Sequence, residues 1–260
     1  MLLPNPNDCP MSFIRMEIHM AHFLIFGGSG GIGAALARRL SAGGHTLHLT
    51  GRDQSRLKDV AIETGAKFTV GDVLDDGFIA NVVSQAGPAL DGLAYAVGTI
   101  NLKPLARLTD ADFSNDHAVN ALGAVKAVQA ALPALKASSG TASVLLFSSI
   151  AVAQGFASHA SISMAKGAIE GLTRALAAEL APKIRVNAIA PSLTDTPLAK
   201  AITANPAIAQ GVAALHALPR LGEADDIAAL GELLLTDAGG WITGQVMAVD
   251  GGRSRARTKG

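Results

Sequence analysis

Two groups of residues have types and spacings that could do chemistry. The first is Gly27-Gly28-Ser29-Gly30-Gly31-Ile32-Gly33, where five of seven positions are glycine. Glycines permit a tight turn and let a pyrophosphate come close to the backbone. A helix beginning there offers unpaired N–H groups and a partial positive charge to phosphate oxygens. The second group is His159, Ile162 and Lys166. Separations of three and four residues put all three on one face of a helix. An imidazole can give or take a proton, which suits general acid–base work. The lysine lies in a stretch rich in Ala, Ile and Leu, where burial without partners is expensive. The competing readings are a polar residue opening the helix for His159 and a partly exposed surface lysine for Lys166.

Two further signals concern the adenosine end of a dinucleotide. Thr50-Gly51-Arg52-Asp53 closes an apolar run at the point where such a fold reads the ribose. A carboxylate there accepts from the 2′-hydroxyl of NAD, whereas a guanidinium pairs with the 2′-phosphate of NADP. Arg52 therefore favours NADP, and Gly51 leaves room for the phosphate. NAD is the alternative, through Asp53, whose other role would be to cap the next helix. Asp72, followed by Val73, could accept from the adenine amino group or simply end a strand.

These residues can meet only if the elements between them alternate. Short apolar runs predict strands at 23–26, 46–50, 67–70, 92–97, 143–147, 185–189 and 245–249. Helical spacing fills the intervals at 32–42, 56–63, 78–85, 113–136, 160–180 and 225–235. Val144, Leu145, Leu146 and Phe147 are apolar on both faces of their strand, as in a parallel sheet covered by helices. The expected fold is α/β, a Rossmann-type doubly wound parallel sheet in a single domain. Its ligand crevice would lie at the carboxyl ends of the strands. The stretch 192–218 shows no clear period and is expected to hold short helices over that crevice.

Composition narrows the functional classes. Lys+Arg and Asp+Glu both number 21, and this balance argues against a nucleic-acid or anionic-membrane binder. Arg253, Arg255, Arg257 and Lys259 form the one basic cluster, read as a solvated tail over 253–260. Cys9 is the only cysteine, which excludes an intrachain disulfide and is compatible with a reducing cytosol. Pro4, Pro6, Asp8 and Pro10 interrupt any signal-peptide core, and no uninterrupted apolar run approaches membrane-spanning length. The expectation is a cytoplasmic protein with a loose extension over 1–20, a domain over 21–252, and Met20 as an alternative start.

The order of motifs resembles the short-chain dehydrogenase/reductase family over about residues 21–252. The glycine loop matches its Gly-x-x-x-Gly-x-Gly pattern, and Asp72-Val73 its adenine pocket. Val119-Asn120-Ala121-Leu122-Gly123 is similar to its asparagine motif, and Ser149 stands where the family carries a catalytic serine. The segment 185–192 resembles the one that closes over the nicotinamide. Arg220-x-Gly222 and Val249-Asp250-Gly251-Gly252 match C-terminal signatures. The resemblance implies cofactor contacts from Gly27, Ser29, Gly30, Gly31, Ile32, Gly33, Arg52, Asp72, Val73, Ala96, Gly98, Lys166, Pro191 and Thr194. It implies catalytic roles for Ser149, Lys166 and Asn120, a small carbonyl or alcohol substrate, and a homodimer or homotetramer. The family's Tyr-x-x-x-Lys motif reads here Ile162-Ser163-Met164-Ala165-Lys166, so the usual proton-exchanging hydroxyl is absent. His159 is the candidate to replace it, and Ser161 and Ser163 are expected to cap or face solvent. Phe26, Tyr95-Ala96 and Ser192 depart from the usual threonine, Asn-Asn and glycine. Either an oxidoreductase with altered acid–base chemistry or a non-catalytic NADP(H)-binding sensor or scaffold fits these residues.

Overall fold

The computed structural model describes residues 20–257. Most of the expected extension, Cys9 and Lys259 lie outside the described residues. β1 (His22–Phe26) leads through the glycine turn into α1 (Gly31–Ala42). β2 (Thr46–Gly51), α2 (Gln54–Thr64), β3 (Lys67–Val70) and α3 (Phe78–Ala86) complete the first half. β4 (Gly92–Tyr95) opens the second half, followed by α4 (Asp110–His117), a π-helical turn over Ala118–Leu122, and α5 (Gly123–Lys136). Next come β5 (Ala142–Phe147), α6 (Ile150–Ala153), α7 (Ala160–Leu180) and β6 (Ile184–Pro191). The last part holds β7 (Thr194–Asp195), α8 (Lys200–Thr203), α9 (Pro206–Ala213), β8 (Gly222–Glu223), α10 (Ala224–Leu235) and β9 (Val246–Val249).

Seven strands form one parallel sheet in the order β3-β2-β1-β4-β5-β6-β9. Alternate side chains of each strand point to opposite faces, and here both sets are apolar. Leu24, Phe26, Val144 and Leu146 pack with Val82, Ala127 and Ile169 of α3, α5 and α7. Phe23, Ile25, Leu145 and Phe147 pack with Leu36, Leu57 and Ile227 of α1, α2 and α10. Fully burying such a side chain stabilises by about 1.5–3 kcal/mol, so the two faces of the sheet are what hold the domain together. The chain winds outward from β1 to β3, then returns to β4 on the other side of β1. That reversal opens a crevice beyond the carboxyl ends of β1 and β4.

The strands and most helices lie where the sequence predicts them, with two informative differences. The expected uniform helix over 113–136 begins earlier, at Asp110, and contains the π turn. Asn120 Nδ2 donates to the Asp116 carbonyl at 2.8 Å, and the Tyr95 hydroxyl donates to the Val119 carbonyl at 2.7 Å. The turn thus widens where side chains take over backbone acceptors. Gly123 is required beside it, because a Cβ there would collide with the Tyr95 hydroxyl. β4 also ends at Tyr95, so Ala96 to Gly98 leave the sheet and line the crevice. The run Asp110–Lys136 is long and apolar enough to cross a membrane, but 56% of its most apolar window is buried inside the protein. Its contacts with α3 and α7 make it a core helix of this fold.

Candidate active site

The glycine turn is built by close approach. The N–H groups of Gly27 and Gly28 both donate to the Thr50 carbonyl at 2.9 Å, and Gly30 N–H donates to Gly27 at 2.9 Å. Gly27 has φ +82°, and a Cβ there would lie 2.7 Å from the Ala96 carbonyl oxygen. At Gly33 a Cβ would overlap the Gly27 carbonyl, so the third glycine lets α1 pack against the turn. Gly30 caps α1 without any side-chain acceptor, which leaves the first N–H groups available to an anion. A cleft of about 280 Å³ lies in front, lined by Gly27, Ser29, Gly30, Gly31, Ile32, Gly33, Arg52, Asp72, Val73, Ala96 and Gly98. The Thr50 hydroxyl, on the same wall, is buried with no partner among the described residues. An orphaned hydroxyl, free helix N–H groups and a glycine floor all fit a phosphate-bearing ligand.

At the far end of this cleft Arg52 and Asp72 pair at 3.2 Å, with the Arg52 side chain 78% exposed. Asp72 also accepts from Leu74 N–H at 3.0 Å. Asp53 caps α2, accepting from Arg56 N–H at 3.1 Å. Gly51 has a second use beyond the one expected, since a Cβ there would come within 2.5 Å of the Ser29 hydroxyl.

The cleft continues into a cavity of about 360 Å³ through Ile32, Ala96, Gly98 and Thr196, which line both. Ser149, His159, Ile162, Lys166, Pro191 and Thr194 all line this cavity. Ser149 is the N-cap of α6 and accepts from Ala151 N–H at 3.2 Å, so its own O–H remains available for donation. Ser148 is turned away, donating to Glu170 at 2.9 Å. Thr194 is buried and donates to the Ser192 carbonyl at 3.0 Å. His159 precedes α7, with Nδ1 bonded to the Ala157 carbonyl at 2.7 Å and its ring edge-on to Phe156. A carbonyl can only accept, so this contact assigns the hydrogen to Nδ1 and leaves Nε2 for exchange.

Lys166 is buried, and its Nζ donates to the Phe147 carbonyl at 2.9 Å. Burial pulls its ammonium down to about 8, with the Asp116 carboxylate opposing the shift. A Cβ on Gly98 would lie 3.0 Å from Asn120 Oδ1 and 3.4 Å from Lys166 Nζ, so these three residues form one tight corner. Asn120 Nδ2 donates to the Thr99 hydroxyl at 2.8 Å, and Thr99 donates to Asp116 at 2.7 Å. The sequence alone does not single out Asp116 and Thr99. The one available signal was that Asp116 precedes Asn120 by a helical turn.

Two sequence expectations need correction. Ser161 does not face solvent: it is 1% exposed and donates to Asp116 at 2.6 Å, because its side of α7 packs against α4. Ser163 donates to the Ala151 carbonyl at 3.2 Å. Arg253 is not part of a solvated tail. It lines the cavity and stacks over the Phe156 ring at 4.5 Å, whereas Arg255 and Arg257 are exposed.

Fold and site together define a single-domain Rossmann-type α/β protein with a glycine-floored cleft at its topological switch point. Residues 27–254 match the family described as enoyl-(acyl carrier protein) reductase. A tropinone reductase homologue of Arabidopsis thaliana is 34% identical, with 92% of each chain covered. Among solved structures, a glucose/ribitol dehydrogenase of the short-chain type from Brucella melitensis is 30% identical with a TM-score of 0.85, covering 91% of this chain and 97% of that one. A short-chain type dehydrogenase/reductase from Mycobacterium ulcerans is 28% identical with a TM-score of 0.85, covering 91% and 90%. The chain belongs to the short-chain dehydrogenase/reductase family of NAD(P)-binding oxidoreductases.

Proposed function

We propose that the protein is an NADP(H)-dependent oxidoreductase that interconverts a small carbonyl compound and its alcohol, with acid–base chemistry altered by isoleucine at position 162. The carrying observation is the continuity of the glycine-floored cleft with a cavity lined by Ser149, His159 and Lys166. NADP(H), when bound, supplies or accepts the hydride. The turn over 27–33 would hold its pyrophosphate, and Lys166, with two N–H donors beyond its bond to Phe147, would hold ribose hydroxyls. The preference for NADP over NAD is supported by Arg52 on the rim and by the commitment of Asp53 to its cap.

Ser149 donates its O–H to the substrate oxygen and so fixes the carbonyl. In reduction, the His159 imidazolium gives the Nε2 proton to that oxygen. In oxidation, neutral His159 takes the alcohol proton at Nε2. Ile162 walls the cavity and contributes no proton, so His159 is the titratable side chain left on that face of α7 besides Lys166. The apolar walls around them exclude water and strengthen these contacts.

The test is NADPH oxidation across a panel of small ketones and aldehydes, with NADPH and NADH affinities measured alongside. The proposal expects NADPH to bind more tightly than NADH and at least one carbonyl to be reduced. The second reading, a non-catalytic NADP(H)-binding sensor or scaffold, is favoured by Ile162 alone. It would be the outcome if NADPH bound but no carbonyl or alcohol reacted.

A further inference from the structure

Among the described residues, the cavity wall carries basic side chains and no carboxylate. Its lining includes Lys166, Arg253 and His159, and otherwise mainly apolar residues such as Ile100, Phe147 and Leu198. Lys166 bonds the Phe147 carbonyl and is assigned above to the ribose, whereas Arg253 has no such assignment. Its backbone is pinned: the Asp250 carboxylate accepts from Gly252 N–H at 2.9 Å and from Ser254 N–H at 2.8 Å, and Arg253 N–H donates to the Asp250 carbonyl at 3.1 Å. Gln154 then ties the Arg253 carbonyl to the loop after α6 at 3.1 Å. The guanidinium is thereby held over the Phe156 ring, which itself meets the His159 ring edge-on.

A guanidinium has five N–H donors. Among the described residues, the side chain of Arg253 makes one long hydrogen bond, 3.4 Å from Nη1 to the neutral Ser192 hydroxyl. None of the ion pairs formed among the described residues includes it. Asp250 acts on it through its charge without forming an ion pair, and its carboxylate oxygens accept from the Gly252 and Ser254 amides. A half-buried cation with one neutral partner is costly, and a planar carboxylate would satisfy its free donors bidentately. The aromatic ring beneath holds the guanidinium at the cavity wall, where such a group can reach its free donors.

We propose that Arg253 is the specificity residue of this cavity and that the substrate is a carbonyl or alcohol compound with an apolar body and a carboxylate, which Arg253 binds. This names the substrate class of the reaction proposed above and rests on that reading for the carbonyl, not for the carboxylate. Methyl-ketone carboxylic acids of graded chain length (levulinate and its longer homologues) should therefore be reduced better than their methyl esters. At the best length, kcat/KM for the acid should exceed that for the ester by about 10-fold or more, as for a charge-assisted hydrogen bond. Arg253→Met should erase the preference, mainly through KM for the acid, and leave the ester nearly unchanged; Arg253→Lys should restore part of it.

Binding of hexanoate against hexanamide, measured by calorimetry in the presence of NADPH, separates this claim from catalysis. Hexanoate should bind more tightly than hexanamide to the unmodified protein and lose that advantage in Arg253→Met. If the ligand difference is present but no ketone is reduced, recognition by Arg253 stands and the oxidoreductase reading fails. If acid and ester react equally in the unmodified protein and hexanoate shows no advantage, the proposal is overturned. It is also overturned if Arg253→Met lowers acid and ester alike, because the arginine then acts only by packing on Phe156.

Discussion

Arg52 and Ile162 carry the residue-scale predictions. Arg52 stands on the rim of the cleft, largely exposed and already paired with Asp72, so solvent and that carboxylate both weaken its hold on a phosphate. Arg52→Ala should weaken NADPH by about 1.5 kcal/mol, the low end for a hydrogen bond to a charged group, and leave NADH nearly unchanged. Titration of both nucleotides against both proteins checks this; equal NADPH affinities would remove Arg52 from the cofactor site. At Ile162 the cavity gives a larger side chain somewhere to go. Ile162→Tyr should raise turnover by up to about 10²–10⁴-fold, less whatever overpacking costs. His159→Ala should abolish the activity of the unmodified protein yet spare the tyrosine variant. Activity surviving in His159→Ala alone would assign the proton to another group. The spacing of His159, Ile162 and Lys166 was enough to put them on one wall, because a helix converts sequence distance directly into geometry. Arg253 and Asp116 were hidden for the opposite reason. Their partners, Phe156 and Ser161, lie far away in sequence, and only tertiary packing brings them together.

Among the elements, β2 holds the clearest pH-sensitive group. His48 is 2% exposed between β1 and β3, its Nδ1 has no hydrogen-bond partner among the described residues, and Nε2 bonds to the Thr69 hydroxyl. Burial, aided by the charges of His22 and Lys67, pushes its imidazole down to about 4. An unfolded histidine titrates near 6.5, so between about pH 6.5 and 4 the unfolded chain binds the extra proton. Stability then falls as the pH drops through that window. His48→Leu should flatten this part of the acid limb, because Thr69 keeps its bond to Gln85 at 2.7 Å. Thermal melts at stepped pH check it, and an unchanged slope would shift the effect to other groups. The strands were legible because a two-sided apolar run such as Val144 to Phe147 has few other places to go than between helices. The π turn was not, since it depends on a phenol from β4 reaching the Val119 carbonyl. The segment 192–218 remained unresolved in the sequence for want of a period; its short helices are positioned by local caps, such as Asn205 accepting from Ala207 N–H at 3.0 Å.

At the scale of the whole molecule, the outward face of α7 is open. A Cβ on Gly171 would meet nothing within 4 Å, one on Gly167 only Val152 at 3.8 Å, and Met164 is 53% exposed. Small residues with an exposed apolar neighbour suit close packing of a second copy, and we expect a homodimer or homotetramer through this face. Light scattering at micromolar concentration should give a multiple of the chain mass, and Gly171→Glu should reduce it; a monomer in the unmodified protein would contradict the expectation. The function proposed for this molecule requires that the cleft and the cavity act together on a carbonyl. The most direct measurement is transfer of deuterium from nicotinamide-deuterated NADPH to a methyl-ketone acid, read by mass spectrometry of the alcohol formed. Deuterium on the new carbinol carbon, absent without protein and lost in His159→Ala, is the predicted result. NADPH bound tightly while neither the unmodified protein nor Ile162→Tyr yields labelled alcohol would contradict it.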